Sequence, residues 1–212
     1  MNAKFTTKQL TLLGLFVGVM LIMACTPLGY LNVGPLAISF NMIPVALAAV
    51  TLGPVGGTVL GGVFGLTSFL QCMGIGGASQ LGTILFGINP IFTMIVCFVP
   101  RMLDGLLLGY IFRAVRRCGK VQLACVTTGL FAAFLNTLFF MSALIFFFGN
   151  TEYMQGLIAG RNVLVFVCAF VGVNAVAELI ASTIITGAVG FALYKAKLIP
   201  SESIEKKVNP KK

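Results

Sequence analysis

Apolar residues in this chain run in long blocks, broken by short stretches in which Pro, Gly, Asn, Lys and Arg collect. The blocks approach 20 residues, the length a helix needs to cross the hydrocarbon core of a bilayer. Within them polar and apolar residues do not alternate, as they would over about ten positions of a barrel strand, so the pattern predicts helices. Six are expected, over 9–26, 39–52, 54–72, 90–113, 122–148 and 164–194. The second is short and can be tilted, broken or continuous with the third, because Pro54 cannot donate a backbone hydrogen bond and suits the first turn of a new helix. The fold class expected is an all-α membrane protein with about six transmembrane helices. One packed unit is expected over 1–197, followed by a polar, flexible cytoplasmic tail over 198–212, with no internal repeat.

Composition agrees with that solvent: 58% of residues are hydrophobic, 9% are charged, and the mean hydropathy is +1.05. The formal charge of +9 would suggest nucleic acid in a soluble protein. Its distribution removes that reading. Lys4 and Lys8 precede the first block, Arg113, Arg116, Arg117 and Lys120 lie between the fourth and fifth, and Lys195, Lys197, Lys206, Lys207, Lys211 and Lys212 follow the sixth. With six helices these regions share one side, which the positive-inside rule makes the cytoplasm, with both termini there. Tyr30, Tyr110, Tyr153 and Tyr194 fall near block ends, where an amphipathic ring prefers to sit. Lys4 and Lys8 before an apolar run resemble a signal peptide, and Ile22-Met23-Ala24-Cys25 a lipoprotein box, but a polytopic chain needs no removable signal. The six cysteines show no metal-binding spacing and sit mostly in apolar blocks, where Cys behaves as a small hydrophobe. Neither a disulfide nor a metal site is expected.

The stretch "LGPVGGTVLGGVFG", residues 52–65, is rich in glycine. A phosphate-binding loop would need a Lys after its second glycine, and a dinucleotide fingerprint would need a strand before it; neither is present. Gly53, Gly57, Gly61 and Gly65 recur every four residues, a smooth ridge that lets a second backbone approach closely in lipid. Gly14 and Gly18 repeat the device on the first helix, as a patch for an outside partner or for packing within the fold.

Polar groups inside the blocks are costly and mark candidate function. They are Asn41, Gln71, Arg101, Asp104, Asn136, Asn174 and Glu178, with Asn41 and Gln71 near the extracellular ends and Arg101, Asn136 and Glu178 deeper. Arg101 and Asp104, three residues apart, are expected to pair on one helix face. The outer loops, 27–38, 73–90 and 149–163, add Tyr30, Asn32, Gln80, Asn89, Asn150, Glu152 and Tyr153, and their glycines suit a lid over a pocket that opens outwards. With no His, no catalytic pairing of side chains and no nucleotide site, enzymatic chemistry and cofactors are not expected. A free-standing secondary carrier usually has more helices in two related halves. The chain reads as a small binding protein in need of a motor.

The runs "GPLAISFNMIPVALAAVTLGPVGGTVLGGVFGLTSFL", "PRMLDGLLLGYIFRAVRR", "FLNTLFFMSALIFFFG" and "NAVAELIASTIITGAVGFALYKA" resemble the substrate-binding S components of energy-coupling factor (ECF) vitamin transporters, over nearly all of 8–197. "TLGPVGGTVLGGVFGLTS", "SFNMIP" and the "NT" and "N-x-x-x-E" signatures are similar to the group that includes pantothenate transporters. The resemblance implies six helices, a vitamin held near the outer leaflet, a membrane partner called the T component, and two cytoplasmic ATPases. It also implies that Gly14 and Gly18 stand where such proteins carry the A-x-x-x-A alanines that dock on the T component, with glycine in place of the usual letter. For pantothenate, Arg101 would hold the carboxylate, with Asn136, Asn174, Gln71 and Asn41 for the amide and hydroxyls and Glu178 positioning Arg101 or an amide. Riboflavin, which would favour a stacked platform from the Phe-rich block 131–148, cobalamin, pyridoxine and a free-standing small carrier are the alternatives.

Overall fold

At Gly53 the backbone takes φ 76° and ψ −165°, a conformation open to glycine and costly for other residues. This one residue divides a 31-residue helix. The computed structural model describes residues 6–26, 29–33, 36–75, 79–158, 160 and 163–199, and for 30–33, 36–38, 163–171 and 173 the backbone alone. In chain order the elements are α1 (Thr7–Cys25), β1 (Tyr30–Val33), β2 (Leu36–Ser39), α2 (Met42–Cys72), α3 (Gln80–Ile88), α4 (Pro90–Arg116), α5 (Val121–Phe148), α6 (Glu152–Ile158) and α7 (Val163–Lys195).

α2 is two helices. A Cβ built on Gly57 would stand 3.0 Å from the Cβ of Ala49, whereas eight residues of straight helix separate positions by about 12 Å. The chain therefore reverses at Gly53-Pro54, and 42–52 folds back on 54–72. Five described helices are long and apolar enough to cross a membrane, and α2 is one of them; counting its two arms separately gives the six expected helices. The first arm is apolar all round and buried on every side, as a helix enclosed by others must be. It centres a core in which Met42, Val45, Ala46 and Ala49 pack with Met20 of α1, Leu60 and Phe64 of the second arm, Leu108 of α4 and Ala132 of α5.

The glycine ridge faces α4. A Cβ on Gly57 would strike the carbonyl oxygen of Gly105, one on Gly61 that of Arg101, and one on Gly65 would stand 2.9 Å from that of Cys97. Gly105 and Gly109 return the fit from α4, against Gly57 and Pro54. Both helices thus meet backbone to backbone, the arrangement that small residues permit in lipid. α5 and α7 meet in the same way at Gly129, whose Cβ would press on the Ser182 carbonyl.

Val50, Phe112, Ala124 and Ile199 cluster at one end of the bundle, where Arg113 reaches Gly53. The packed chain reaches Ile199, which is buried, and residues 200–212 lie outside the described part. At the far end the second arm of α2 finishes beside α1, with Gln71 Nε2 donating to the Ala24 carbonyl at 3.1 Å. Three features there go beyond the sequence reading. β1 and β2 form an antiparallel hairpin, Tyr30 opposite Ser39 and Val33 opposite Leu36. α3 is a short helix started by Ser79, whose Oγ accepts from the Gly82 amide. α6 packs Met154 and Ile158 onto Leu144 and Phe148 of α5.

Candidate functional site

Arg101 is buried about halfway along α4, some 16 Å from Pro90 at 1.5 Å per residue. Pro100 explains its posture. A proline inside a helix has no N–H for the carbonyl four residues back, so Val96 loses its donor. Arg101 turns toward the far end and supplies one: Nη1 donates to Val96 O at 3.3 Å and to Cys97 O at 2.9 Å. Its guanidinium lies between two rings, 4.7 Å from Phe64 of α2 and 5.2 Å from Phe140 of α5. Both approaches suit a cation on an aromatic face. Nε has no hydrogen-bond partner.

This geometry corrects one expectation. Arg101 does not pair with Asp104, because its Nη1 points N-terminally along α4; Asp104 is buried with Oδ1 unpartnered, and the two interact only through the field of the guanidinium. The same field reaches Glu178 of α7.

Glu178 is buried and accepts the backbone N–H of Ser39 at 2.6 Å, which ties the end of the hairpin to α7. A carboxylate accepting an amide in a dry setting makes a strong hydrogen bond. Two residues on, Asn41 is fully buried at the start of α2, with neither side-chain polar atom paired. Asn136, one helical turn before Phe140 on α5, is also buried with Oδ1 unpaired. Asn174 lies one turn from Glu178 on α7, buried and engaged in an interaction of its own. Arg101, Asn136, Asn174, Glu178 and Asn41 are thus all buried, on four helices, with α4 joined to α5 through Arg101 and Phe140 and α7 joined to the hairpin through Glu178 and Ser39.

Other candidates fall elsewhere. Gln71 is buried, but its amide nitrogen is spent on α1. Asn89 caps α4, its Oδ1 accepting from Ile91 and Phe92 at 3.0 and 3.2 Å. Tyr30 and Asn32 lie on β1, and their side chains are outside the described part. The sequence reading missed Phe64 and Phe140 as ring partners of Arg101, and the unpartnered hydroxyls of Ser39, Ser182 and Thr186. The Pro100-Arg101 dipeptide and the i, i+4 pairing of Asn136 with Phe140 were the available signals. Among the described residues no group of three His, Cys, Asp or Glu side chains could hold a metal ion.

On α1 the picture is different. Phe16, Met20 and Ala24 form its buried stripe, while an added Cβ on Gly14 or Gly18 would meet nothing within 4 Å. Two residues turn a helix by about 200°, so Gly14 and Gly18 lie opposite that stripe. Leu10, Leu15 and Ile22 are each at least 60% exposed, which leaves α1 the least enclosed span of the bundle.

A bundle with five described helices long and apolar enough to cross a membrane defines a polytopic membrane protein. The comparisons agree: the sequence profile of "ECF transporter, substrate-specific component" matches residues 8–190, and the chain belongs to that family. It is 29% identical over 197 residues to the pantothenate transporter PanT of Leuconostoc mesenteroides, covering 88% of this chain and 92% of that one. It is 24% identical over 210 residues to the pantothenic acid transporter PanT of Lactococcus lactis subsp. cremoris, covering 92% and 97%. The solved structure of ThiT from Listeria monocytogenes shares the fold, with a TM-score of 0.62 at 17% identity over 91% of this chain and 97% of that one.

Proposed function

We propose that the chain is the high-affinity pantothenate-binding subunit of an ATP-driven ECF importer in the bacterial cell membrane. The observation that carries this reading is the buried cation of Arg101 with Nε unpartnered, in a bundle that also buries unpaired polar atoms of Asn41 and Asn136. Pantothenate offers a carboxylate, an amide and hydroxyls. Arg101 Nε is available to the carboxylate, and Asn136 and Asn41 supply donors and acceptors for the remainder. Both curated relatives carry pantothenate in their names.

In this reading the basic end, with Arg113, Lys120 and Lys195, faces the cytoplasm together with both termini. The hairpin and the short helices α3 and α6 then lie over the ligand at the outer face. The exposed Gly14–Gly18 face of α1 docks on the T component, and two cytoplasmic ATPases supply the energy. Residues 1–197 act as one binding unit.

Equilibrium titration of the purified chain with a panel of water-soluble vitamins tests the ligand. Saturable binding of pantothenate, uncompeted by riboflavin, cobalamin or pyridoxine, is expected; selective binding of one of the others would replace it. Uptake into liposomes by the purified chain alone would point instead to a free-standing carrier.

A further inference from the structure

α5 and α7 touch near the basic end of the bundle, where a Cβ on Gly187 would stand 2.9 Å from Val126 and one on Gly190 would stand 2.9 Å from the Cys125 sulfur. Beside that contact, between the start of α5 and the last turns of α7, lies an open groove of about 520 Å³. Leu123, Val126 and Phe191 give it apolar walls; Lys120 and Gln122, at the start of α5, and Tyr194, in the last turn of α7, complete the lining. Val126 is about 9 Å along the helix from Lys120, and Phe191 one turn deeper than Tyr194, so the groove has a polar mouth and an apolar depth. Leu123 and Tyr194 are both exposed, which opens it to the surroundings of the bundle, not to its core. The charge around it has one sign. Lys195 holds Nζ 4.9 Å from the Phe191 ring, and Arg117 and Lys197 lie at the same end. Among the described residues the acids are remote: Glu152 starts α6 at the opposite end, Asp104 is about 18 Å along α4 from Arg116, and Glu178 about 24 Å along α7 from Tyr194.

We propose that this groove binds one anionic phospholipid, with an acyl chain against Leu123, Val126 and Phe191 and the phosphate at Lys120, Gln122 and Tyr194. The groove belongs to the terminal turns of two helices long and apolar enough to cross a membrane, so its surroundings are lipid and its mouth stands at the level of the headgroups. The lysine ammonium, the glutamine amide and the tyrosine hydroxyl are all donors, and the phosphodiester oxygens accept. Basic pockets between membrane helices favour negatively charged headgroups, because each lysine near the surface adds to the attraction. A zwitterionic lipid offers the same chains and the same phosphate, but it brings a cation among Lys120, Lys195 and Lys197. Held in the groove, the anionic lipid bridges α5 to α7. A furrow that merely took up surrounding lipid would accept both headgroups alike.

Native mass spectrometry of the full chain, released from detergent micelles, counts bound lipids directly. Titration with phosphatidylglycerol should give one dominant adduct, and phosphatidylcholine with the same acyl chains should bind at least about fivefold more weakly, the discrimination expected of one lysine near a headgroup. Lys120→Gln should remove most of that preference. Arg117→Gln deletes a charge at the same end but outside the groove lining, and should keep it. Leu123→Trp should fill the groove and lower the occupancy of both lipids. Lys120 and Leu123 are exposed, so these variants should melt as the parent does. Equal binding of the two lipids by the parent, equal loss in Lys120→Gln and Arg117→Gln, or unchanged occupancy in Leu123→Trp would each overturn the proposal.

Discussion

Arg101 donates Nη1–H to the carbonyl of Val96, the group that Pro100 leaves without a helical donor. One side chain thus repairs its own helix and holds a positive charge deep in the bundle. An unmet buried carbonyl costs about 1–3 kcal/mol, so the repair is a structural reason for Arg101 apart from any ligand.

A double-mutant cycle separates the two roles. In Pro100→Ala an N–H again faces the Val96 carbonyl, and the arginine's structural duty lapses. Arg101→Ala should lower stability by about 1–3 kcal/mol in the native background and by about 1 kcal/mol less beside Pro100→Ala, measured as thermal unfolding in detergent. Equal costs in both backgrounds would mean that the bond to Val96 contributes nothing.

Ligand binding should follow the arginine, not the proline. Arg101→Ala is expected to weaken pantothenate binding more than about tenfold, or roughly 1.4 kcal/mol, while Pro100→Ala keeps it. Arg101→Lys should recover only part of the loss, because an ammonium lacks the planar fork that meets a carboxylate with two bonds. Unchanged affinity in Arg101→Ala, read by equilibrium dialysis, takes Arg101 out of the site.

Much of this was legible in the sequence because lipid leaves few solutions. Block lengths gave the spans, Pro54 marked the reversal, and the four-residue glycine period located the face that meets α4. The hairpin was not legible: two four-residue strands between Gly and Pro residues carry too little alternation to stand out. α3 and α6 were lost inside loops for the same reason, being nine and seven residues long. The pairing of Arg101 with Asp104 failed on a local effect. Spacing put the two on one face, but the carbonyl exposed by Pro100 is an acceptor nearer the path of the side chain. Asn89 reads in sequence as a binding amide and in structure as a helix cap, since Asn before Pro at a helix start serves both descriptions.

The contact of α2 with α4 predicts a sharp contrast between neighbouring glycines. Gly61→Ala puts a methyl group into the Arg101 carbonyl and should destabilise the protein by about 1–3 kcal/mol. Gly62→Ala, whose new methyl would sit 3.6 Å from the tip of Phe98, should leave the melting temperature nearly unchanged or slightly raised. Similar melting temperatures for both variants would contradict a backbone-to-backbone contact.

The bond from Ser39 to Glu178 predicts a kinetic effect. Glu178→Gln keeps an acceptor but removes its charge, and a hydrogen bond to a charged group is worth about 1.5–3 kcal/mol against roughly 1 for a neutral one. The hairpin should be held less firmly, so pantothenate should leave faster while its association rate changes little. Dissociation rates from a rapid dilution experiment, equal in both proteins, would show that the hairpin does not gate the site.

The exposed face of α1 makes the sharpest division between binding and transport. Gly14 and Gly18 have open space around them, and an added side chain meets nothing of this chain, so Gly14→Leu with Gly18→Leu should fold and bind pantothenate as before. The same two side chains would hold a partner helix away, because close approach in lipid depends on small residues at that spacing. Uptake by cells expressing the T component and ATPases should therefore fall to background, and the variant should no longer co-purify with them. Full uptake would free this face from partner docking, and lost ligand binding would show that the glycines serve the fold instead.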